Sequence, residues 1–135
     1  MGSVIKFGTS GWRAILADEF TLANIRLAVA GIAAYVKTQQ QPHRVLVGRD
    51  PRFLGESFVA ETAKILAGAG ATPIVIPEPA PTPAIAYAVR ALKTSGAINF
   101  TASHNPPEYN GIKFSTPDGC PALPEVTKKI ESEIM

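Results

Sequence analysis

The sequence predicts an α/β fold with three layers, in which helices cover both faces of a mixed, mainly parallel four-stranded sheet with one antiparallel strand. Helical and strand periods of apolar residues alternate along the chain, and a parallel sheet with helical connections produces this pattern. The 135 residues amount to one domain, and a content of 46% apolar and 18% charged residues is ordinary for a domain with a buried core.

The first half of the chain contains two predicted helices and two predicted strands. The first helix begins near Thr21, a plausible N-cap, and its inward face comprises Leu22, Ile25, Val29, Ile32 and Val36. A strand over residues 44–48 follows. The second helix, residues 54–67, ends at Gly68 and Gly70. Its inward face comprises Phe58, Val59, Thr62, Ile65 and Leu66. The next strand covers residues 72–76.

The second half begins with a proline-rich turn over residues 77–83. Thr82 and Pro83 predict an N-cap and a first helical residue, and the short helix that follows carries Ile85, Val89 and Leu92 before it ends at Gly96. A strand over residues 97–101 leads into a loop, and residues 112–115 return as its antiparallel partner. A last amphipathic helix, residues 124–134, places together Val126, Ile130 and Ile134.

The loop after the third predicted strand concentrates reactive side chains. Ser103 and His104 lie in it, and Lys113 follows on the returning strand. A hairpin needs only about two to five connecting residues, so the roughly ten residues from 101 to 110 exceed what the topology requires. Since long ordered loops are more often functional, this segment is the candidate reaction site.

The same loop is predicted to be stiff. Pro106 and Pro107 restrict their own backbone, and Pro106 pushes Asn105 towards extended geometry. Asn110-Gly111 supplies positions that tolerate positive φ. Ser103 is therefore expected in a fixed pose.

The identity of the cations favours phosphate chemistry at Ser103. Because neighbouring side chains on an extended strand end diverge, His104 is not expected to act as a hydrolase base for Ser103. His104, Lys113 and a more distant Arg13 would instead form a cationic pocket around the serine oxygen. Such a pocket suits an oxygen that carries or receives phosphate, so the sequence predicts phosphoryl transfer through a serine.

The predicted topology brings several of these residues to one edge of the sheet. Ligands of open α/β sheets bind outside the carboxyl ends of the parallel strands, where Asp50 and Ser103 both lie. Lys113, at the start of the returning strand, is expected close to Ser103. Arg13 is not placed by the sequence, since nearby glycines allow several backbone paths. Asp50, which precedes Pro51, is interpreted chiefly as a cap of the turn that leads to the second helix.

Three segments carry a family resemblance. The loop TASHNPPEYNGIKF, the earlier FGTSGWR (residues 7–13) and VGRDPR (residues 47–52) resemble, in the same order, motifs of the α-D-phosphohexomutases, the phosphoglucomutase/phosphomannomutase family. The resemblance covers nearly the whole chain, but only as the first of the four domains that such enzymes possess. Residues 1–135 are thus expected to form domain I, the active-serine domain, with the later domains outside this chain.

The resemblance implies an intramolecular phosphotransferase that interconverts hexose 1-phosphate and hexose 6-phosphate. Ser103 would carry the phosphoryl group, give it to the substrate and regain one from the hexose 1,6-bisphosphate that results. Lys113 would be a proton-transfer or charge-stabilising residue, and Thr9, Arg13 and His104 would contact the transferring phosphoryl group. These roles suit a loose transition state whose charge is spread over the equatorial oxygens.

The resemblance also implies Mg²⁺ as a cofactor. Ser103 would be a metal ligand through its phosphate, while the remaining ligands would come from an aspartate-rich loop in the second domain of the family. No such cluster of carboxylates occurs in this sequence. The expected partners are therefore a hexose phosphate and the remaining domains of the same enzyme.

Charge and composition exclude other classes of partner. The net charge is +2 and the basic residues are scattered apart from Lys128-Lys129, so nucleic acid is not expected. The apolar run over residues 27–36 is too short for a bilayer, and Lys6 precedes any apolar run of signal-peptide length. The lone Cys120 is consistent with a reducing cytoplasm.

Two other function classes remain open. One is a phosphate-binding or regulatory module without turnover, and the weaker one is a serine hydrolase. Labelling of Ser103 by a pentavalent phosphorus probe would favour the hydrolase, while anion binding without phosphoserine would favour the module.

Overall fold

The computed structural model describes residues 5–8 and 11–134. Within this part of the chain the strands are β1 (Trp12–Ile15), β2 (Arg44–Arg49), β3 (Thr72–Val75), β4 (Gly96–Phe100) and β5 (Tyr109–Ser115). The helices are α1 (Leu22–Lys37), α2 (Gly55–Gly68), α3 (Thr82–Ala91) and α4 (Pro124–Ile134). None of these helices has the length and apolar character needed to cross a membrane.

The strands form one mixed sheet in the order β1-β5-β4-β2-β3. Strand β2 is parallel to its two neighbours, β3 and β4, with Val47 opposite Val75 on one side and Ile98 on the other. β5 runs antiparallel to both β4 and β1. The predicted α/β fold class and the antiparallel return of β5 are confirmed.

In the part of the chain that the structure describes, the sheet has five strands where the sequence predicted four. The missed strand β1 is a four-residue edge strand in which Trp12 pairs with Ile112 and Arg13 with Gly111. Only Trp12 and Ala14 alternate inward, and so short a pattern beside several glycines is too weak to identify a strand. The strand is stabilised instead by its pairing with β5.

Two apolar clusters lie between the sheet and the helices, one on each face of the sheet. The larger cluster joins the sheet to α1, α2 and α4 and contains a run of aromatic rings, with centroids 4.8 Å apart for Trp12–Phe20, 5.4 Å for Phe20–Phe58 and 5.8 Å for Phe58–Phe100. The smaller cluster packs Ile85 and Val89 of α3 against Leu46 and Ala97 of the opposite face. The architecture is therefore the predicted three-layer sandwich.

The start of α1 agrees with prediction, but part of its predicted inward face does not. The Thr21 hydroxyl accepts a hydrogen bond from the Asn24 N–H at 3.2 Å, which is an N-cap contact. Leu22 is 43% exposed, because the buried face is turned towards small residues that include Gly31. A Cβ on Gly31 would lie 2.5 Å from Ile134 Cγ1, so the glycine permits the close approach of α4.

The start of α3 differs from prediction by one residue. The N-cap is Pro81, and Thr82 is already helical. The Thr82 hydroxyl accepts a hydrogen bond from Asn99 Nδ2 of β4 at 3.3 Å instead of capping its own helix. Leu92, which was predicted within this helix, is its C-cap and is 45% exposed.

Candidate active site

The candidate site begins where β4 ends, in a loop over residues 101–108 that leads into β5. Ser103 is exposed at the turn of this loop and has φ +54°, the left-handed region that non-glycine residues rarely adopt. Asn110 and Gly111, which tolerate positive φ, lie within β5 and do not adopt it. The serine itself takes the strained conformation, which is typical of functional sites.

Hydrogen bonds tie the backbone of Ser103 to the end of β2. The Ser103 N–H donates to Thr101 Oγ1 at 3.1 Å, and the Thr101 hydroxyl donates to Asp50 Oδ2 at 2.7 Å. Asp50 Oδ1 also accepts the backbone N–H of Arg52 at 3.1 Å, which is the predicted turn-capping contact. The carboxyl ends of β2 and β4 therefore meet as predicted, and Asp50 serves both the turn and the loop.

Arg52 is a site residue that the sequence reasoning missed. Its side chain is only 13% exposed, and Nε donates to Asp50 Oδ2 at 3.2 Å. Its two terminal nitrogens donate to four backbone carbonyls at 2.8 to 3.1 Å, those of Ser103, Asn105, Pro106 and Tyr109. The Asp-Pro-Arg spacing could have suggested the local ion pair, but no local pattern indicates contacts to a loop about fifty residues away.

Arg13 reaches the same loop from β1. Its Nη1 donates to Asn105 Oδ1 at 2.8 Å, while its Nε is buried without a hydrogen-bond partner among the described residues. The pairing of Arg13 with Gly111 positions the side chain, because a Cβ on Gly111 would lie 2.9 Å from Arg13 Cγ. A guanidinium that the sequence could not place therefore lies beside the serine loop with a free donor.

Lys113 lies on β5, half-buried, opposite Asn99 of β4. Because Ile112 and Phe114 on either side belong to the larger apolar cluster, Lys113 occupies the α3 face of the sheet. In the described part of the chain, no hydrogen bond joins Lys113 to Ser103. The predicted closeness of the Lys113 and Ser103 side chains stays a prediction. The third predicted residue of this region, His104, is exposed in the loop.

An open cleft of about 460 Å³ adjoins Ser103. Its lining includes Asp50, Thr101, Thr82 and Asn99. Asn99 Oδ1 is buried and has no hydrogen-bond partner among the residues described, although its Nδ2 donates to Thr82 Oγ1. The cleft therefore presents hydroxyl and amide groups beside the serine, and such groups suit a ligand rich in hydroxyls.

Two further parts of the predicted site are the contact residue Thr9 and the metal site. Thr9 lies outside the described residues. Over residues 5–8 and 11–134, no three histidine, cysteine, aspartate or glutamate side chains come together as a metal-binding group. The side chains described do not by themselves fit Mg²⁺, which prefers several oxygen ligands in octahedral geometry.

Residues 4–135 match the family described as phosphoglucomutase/phosphomannomutase, alpha/beta/alpha domain I. The chain belongs to this family, and the resemblance seen in the sequence is confirmed.

Curated relatives include a phosphoglucomutase from Staphylococcus saprophyticus, which is 35% identical over 97% of this chain, and a phosphoglucosamine mutase from Psychromonas ingrahamii, which is 35% identical over 95%. The chain spans 24% and 29% of the length of these two relatives. A crystal structure of a putative phosphomannomutase from Thermus thermophilus superposes on all of this chain with a TM-score of 0.94 at 38% identity, and the chain covers 31% of it.

Proposed function

We propose that this chain is the active-serine domain of a phosphohexomutase and that Ser103 carries the phosphoryl group that moves between hexose 1-phosphate and hexose 6-phosphate. The observation that carries the proposal is the pose of Ser103. It is exposed at the end of β4, held at φ +54°, and lies in a loop contacted by Arg13. The mutase names of the relatives support the same reaction class.

The proposed step transfers the phosphoryl group of Ser103 to a free hydroxyl of a hexose monophosphate. The bond from phosphorus to Ser103 Oγ breaks and a bond from phosphorus to the sugar oxygen forms. The sugar hydroxyl loses its proton to a base, and Ser103 Oγ gains one. The resulting hexose 1,6-bisphosphate then returns its other phosphoryl group to Ser103 by the reverse step.

Cationic side chains would supply most of the stabilisation, since charge spreads over the phosphoryl oxygens in the transition state. The guanidinium of Arg13, which reaches the serine loop at Asn105, suits a contact with one of these oxygens. His104, adjacent to Ser103, and Thr9 are assigned further contacts. Lys113 is assigned proton transfer or charge stabilisation from the neighbouring strand.

Mg²⁺ belongs to the proposal as a group held mainly by residues outside this chain, with Ser103 contributing an oxygen through its phosphate. When bound, the cation would supply neutralisation of phosphate charge. Because the described carboxylates do not form a metal group, the isolated chain is expected to have no meaningful mutase activity.

The proposal is tested in a chimera that joins this chain to the later domains of the Thermus thermophilus relative. After incubation with glucose 1,6-bisphosphate and Mg²⁺, mass spectrometry is expected to find phosphate on Ser103. The Ser103→Ala variant should abolish both the modification and the turnover. Phosphate on another residue, with turnover intact in Ser103→Ala, would remove Ser103 from the mechanism.

The same material separates the alternative functions. A regulatory module would bind inorganic phosphate without forming phosphoserine or turning over a hexose phosphate. A serine hydrolase would react at Ser103 with a fluorophosphonate. His104 does not favour the hydrolase, because it is exposed and no hydrogen bond joins it to Ser103 in the described part of the chain.

A further inference from the structure

We propose that Arg52 is the positioning residue of the serine loop, whose guanidinium holds Ser103 in the pose from which it exchanges phosphate. This inference rests on the proposed function of Ser103. Arg52 lies in the turn after β2, about fifty residues from the loop that it contacts. It would act on the reaction through the loop backbone and not through the substrate.

The number of Arg52 N–H groups that already have hydrogen-bond partners shows whether Arg52 can position the loop or bind a phosphate. A guanidinium has five N–H donors in a rigid planar fork. Nε donates to Asp50 Oδ2, Nη2 donates to two loop carbonyls, and Nη1 donates to one loop carbonyl and to that of Tyr109, the first residue of β5. All five donors therefore have partners at 2.8 to 3.2 Å. Arg52 would have to release part of the loop before it could bind a phosphate.

Arg52 and Asp50 together hold both sides of Ser103. The carbonyl of Ser103 accepts from Arg52 Nη2 at 2.9 Å, and its N–H is tied through Thr101 to the carboxylate of Asp50. Asp50 in turn pairs with Arg52 Nε. Since φ +54° is unfavourable for serine, this closed set of contacts stabilises a conformation that the loop would not otherwise keep.

Arg52→Lys is the informative substitution, because an ammonium keeps the charge but has three donors and no planar fork. Arg44→Lys is the matched control. Arg44 also donates to two backbone carbonyls, those of Leu92 and Lys93 at 2.8 and 3.1 Å, but it does so at the opposite end of the sheet.

The first measurement uses this chain alone. In amide hydrogen exchange followed by NMR, Arg52→Lys is expected to accelerate exchange at Ser103, Asn105 and Tyr109 and to shift their resonances. Arg44→Lys should leave these amides as they are. Unchanged amides in Arg52→Lys would overturn the proposal whatever the chimera does.

The second measurement uses the chimera described above. Because misplacing a reacting group by about 1 Å can cost about 100-fold in rate, Arg52→Lys is expected to lower kcat and the rate of Ser103 phosphorylation by about that factor, with a much smaller change in KM. Added guanidinium should partly restore the rate of Arg52→Ala. Wild-type kcat in Arg52→Lys, or a loss that follows the melting temperature and is not rescued, would overturn the inference.

The two proposals fail separately. If the unmodified chimera turns over without phosphate on Ser103, the proposed function is wrong, while the exchange data still decide whether Arg52 holds the loop. If Ser103 is phosphorylated equally fast in Arg52→Lys and in the unmodified chimera, the proposed function stands and the positioning role is wrong.

Discussion

Thr101 and Asp50 are 51 residues apart in the sequence, and the hydroxyl of Thr101 donates to Asp50 Oδ2 over 2.7 Å. The bond joins the carboxyl ends of two neighbouring parallel strands, β4 and β2. The same Thr101 oxygen accepts the N–H of Ser103, so the position of the serine depends on a carboxylate from another strand. A substitution of Asp50 should therefore alter the backbone position of Ser103.

Asp50→Asn is expected to lower the free energy of unfolding by about 1–3 kcal/mol, the usual cost of leaving a half-buried polar group without its partner. The carboxylate accepts three donors: the N–H and Nε of Arg52 and the hydroxyl of Thr101. An amide offers one oxygen, so in either orientation its NH₂ group faces at least one of these donors. Urea unfolding of the purified chain measures the loss.

Asp18→Asn is the control for this substitution, since Asp18 is an exposed turn residue. It should change the stability by less than about 0.5 kcal/mol. Equal stability of the Asp50 and Asp18 variants would show that the contacts of Asp50 contribute nothing net.

Gly111→Ala is predicted to disturb the site through crowding and not through backbone conformation. A Cβ at this position would lie 2.6 Å from the carbonyl oxygen of Trp12 and 2.7 Å from that of Thr101. Because both neighbours are backbone atoms, β5 must move away from β1 or from the serine loop. We expect a loss of about 1–3 kcal/mol in urea unfolding, together with shifted amide resonances at Arg13 and Ser103.

Gly68→Ala serves as the control, because a Cβ on Gly68 has no neighbour within 4 Å. Alanine in this last helical position should be neutral or stabilising. If Gly111→Ala is as well tolerated as Gly68→Ala, the close packing of β5 does not limit the site.

The sequence was sufficient for those parts of the molecule that follow from periodicity. Alternating helical and strand patterns predicted α1 to α4 and four strands, and the rule for parallel strand ends brought Asp50 and Ser103 to one edge. The end of α3 was predicted less well, since Leu92 continues the helical pattern but is the C-cap beyond the last helical residue. Where local pattern and tertiary structure agree, prediction succeeded.

The rest depends on contacts between distant segments. β1 is a strand because β5 lies beside it, and Arg52 belongs to the site because its fork matches the carbonyls of a loop that folds over it. The positive φ fell on Ser103 and not on Gly111. Glycine adopts positive φ more easily than other residues, but tertiary packing determines which residue of the chain adopts it.

The ion pair between α1 and α2 gives a pH-dependent prediction away from the site. Arg26 Nε donates to Glu61 Oε1 at 2.6 Å, and this hydrogen bond holds the pKa of the carboxyl below its usual 4.5. Because the folded-state pKa is the lower one, the stabilisation is present above 4.5 and is lost as pH falls through the folded value. Glu61→Gln should therefore lower the urea midpoint at neutral pH and have less effect at about pH 3.

Salt and a second glutamate control this experiment. High salt should shrink the effect of Glu61→Gln at neutral pH, since the pair lies near the surface. Glu78→Gln, in the exposed proline-rich turn, should show neither dependence. A Glu61→Gln effect that is the same at both pH values would mean that the charge of Glu61 does not contribute.

Ser103→Gly tests whether the serine is held in the left-handed region in solution. Glycine adopts φ +54° without the cost of about 1–2 kcal/mol that a Cβ incurs, although it costs about 0.5–1 kcal/mol in unfolded-chain entropy. We therefore expect Ser103→Gly to equal or exceed Ser103→Ala in unfolding free energy, by up to about 1.5 kcal/mol. At Ala60, exposed within α2, the change from alanine to glycine should instead destabilise by about 1 kcal/mol. Comparable losses at both positions in urea unfolding would mean that residue 103 does not keep the positive φ, and the strained pose of the phosphate carrier would have to be abandoned.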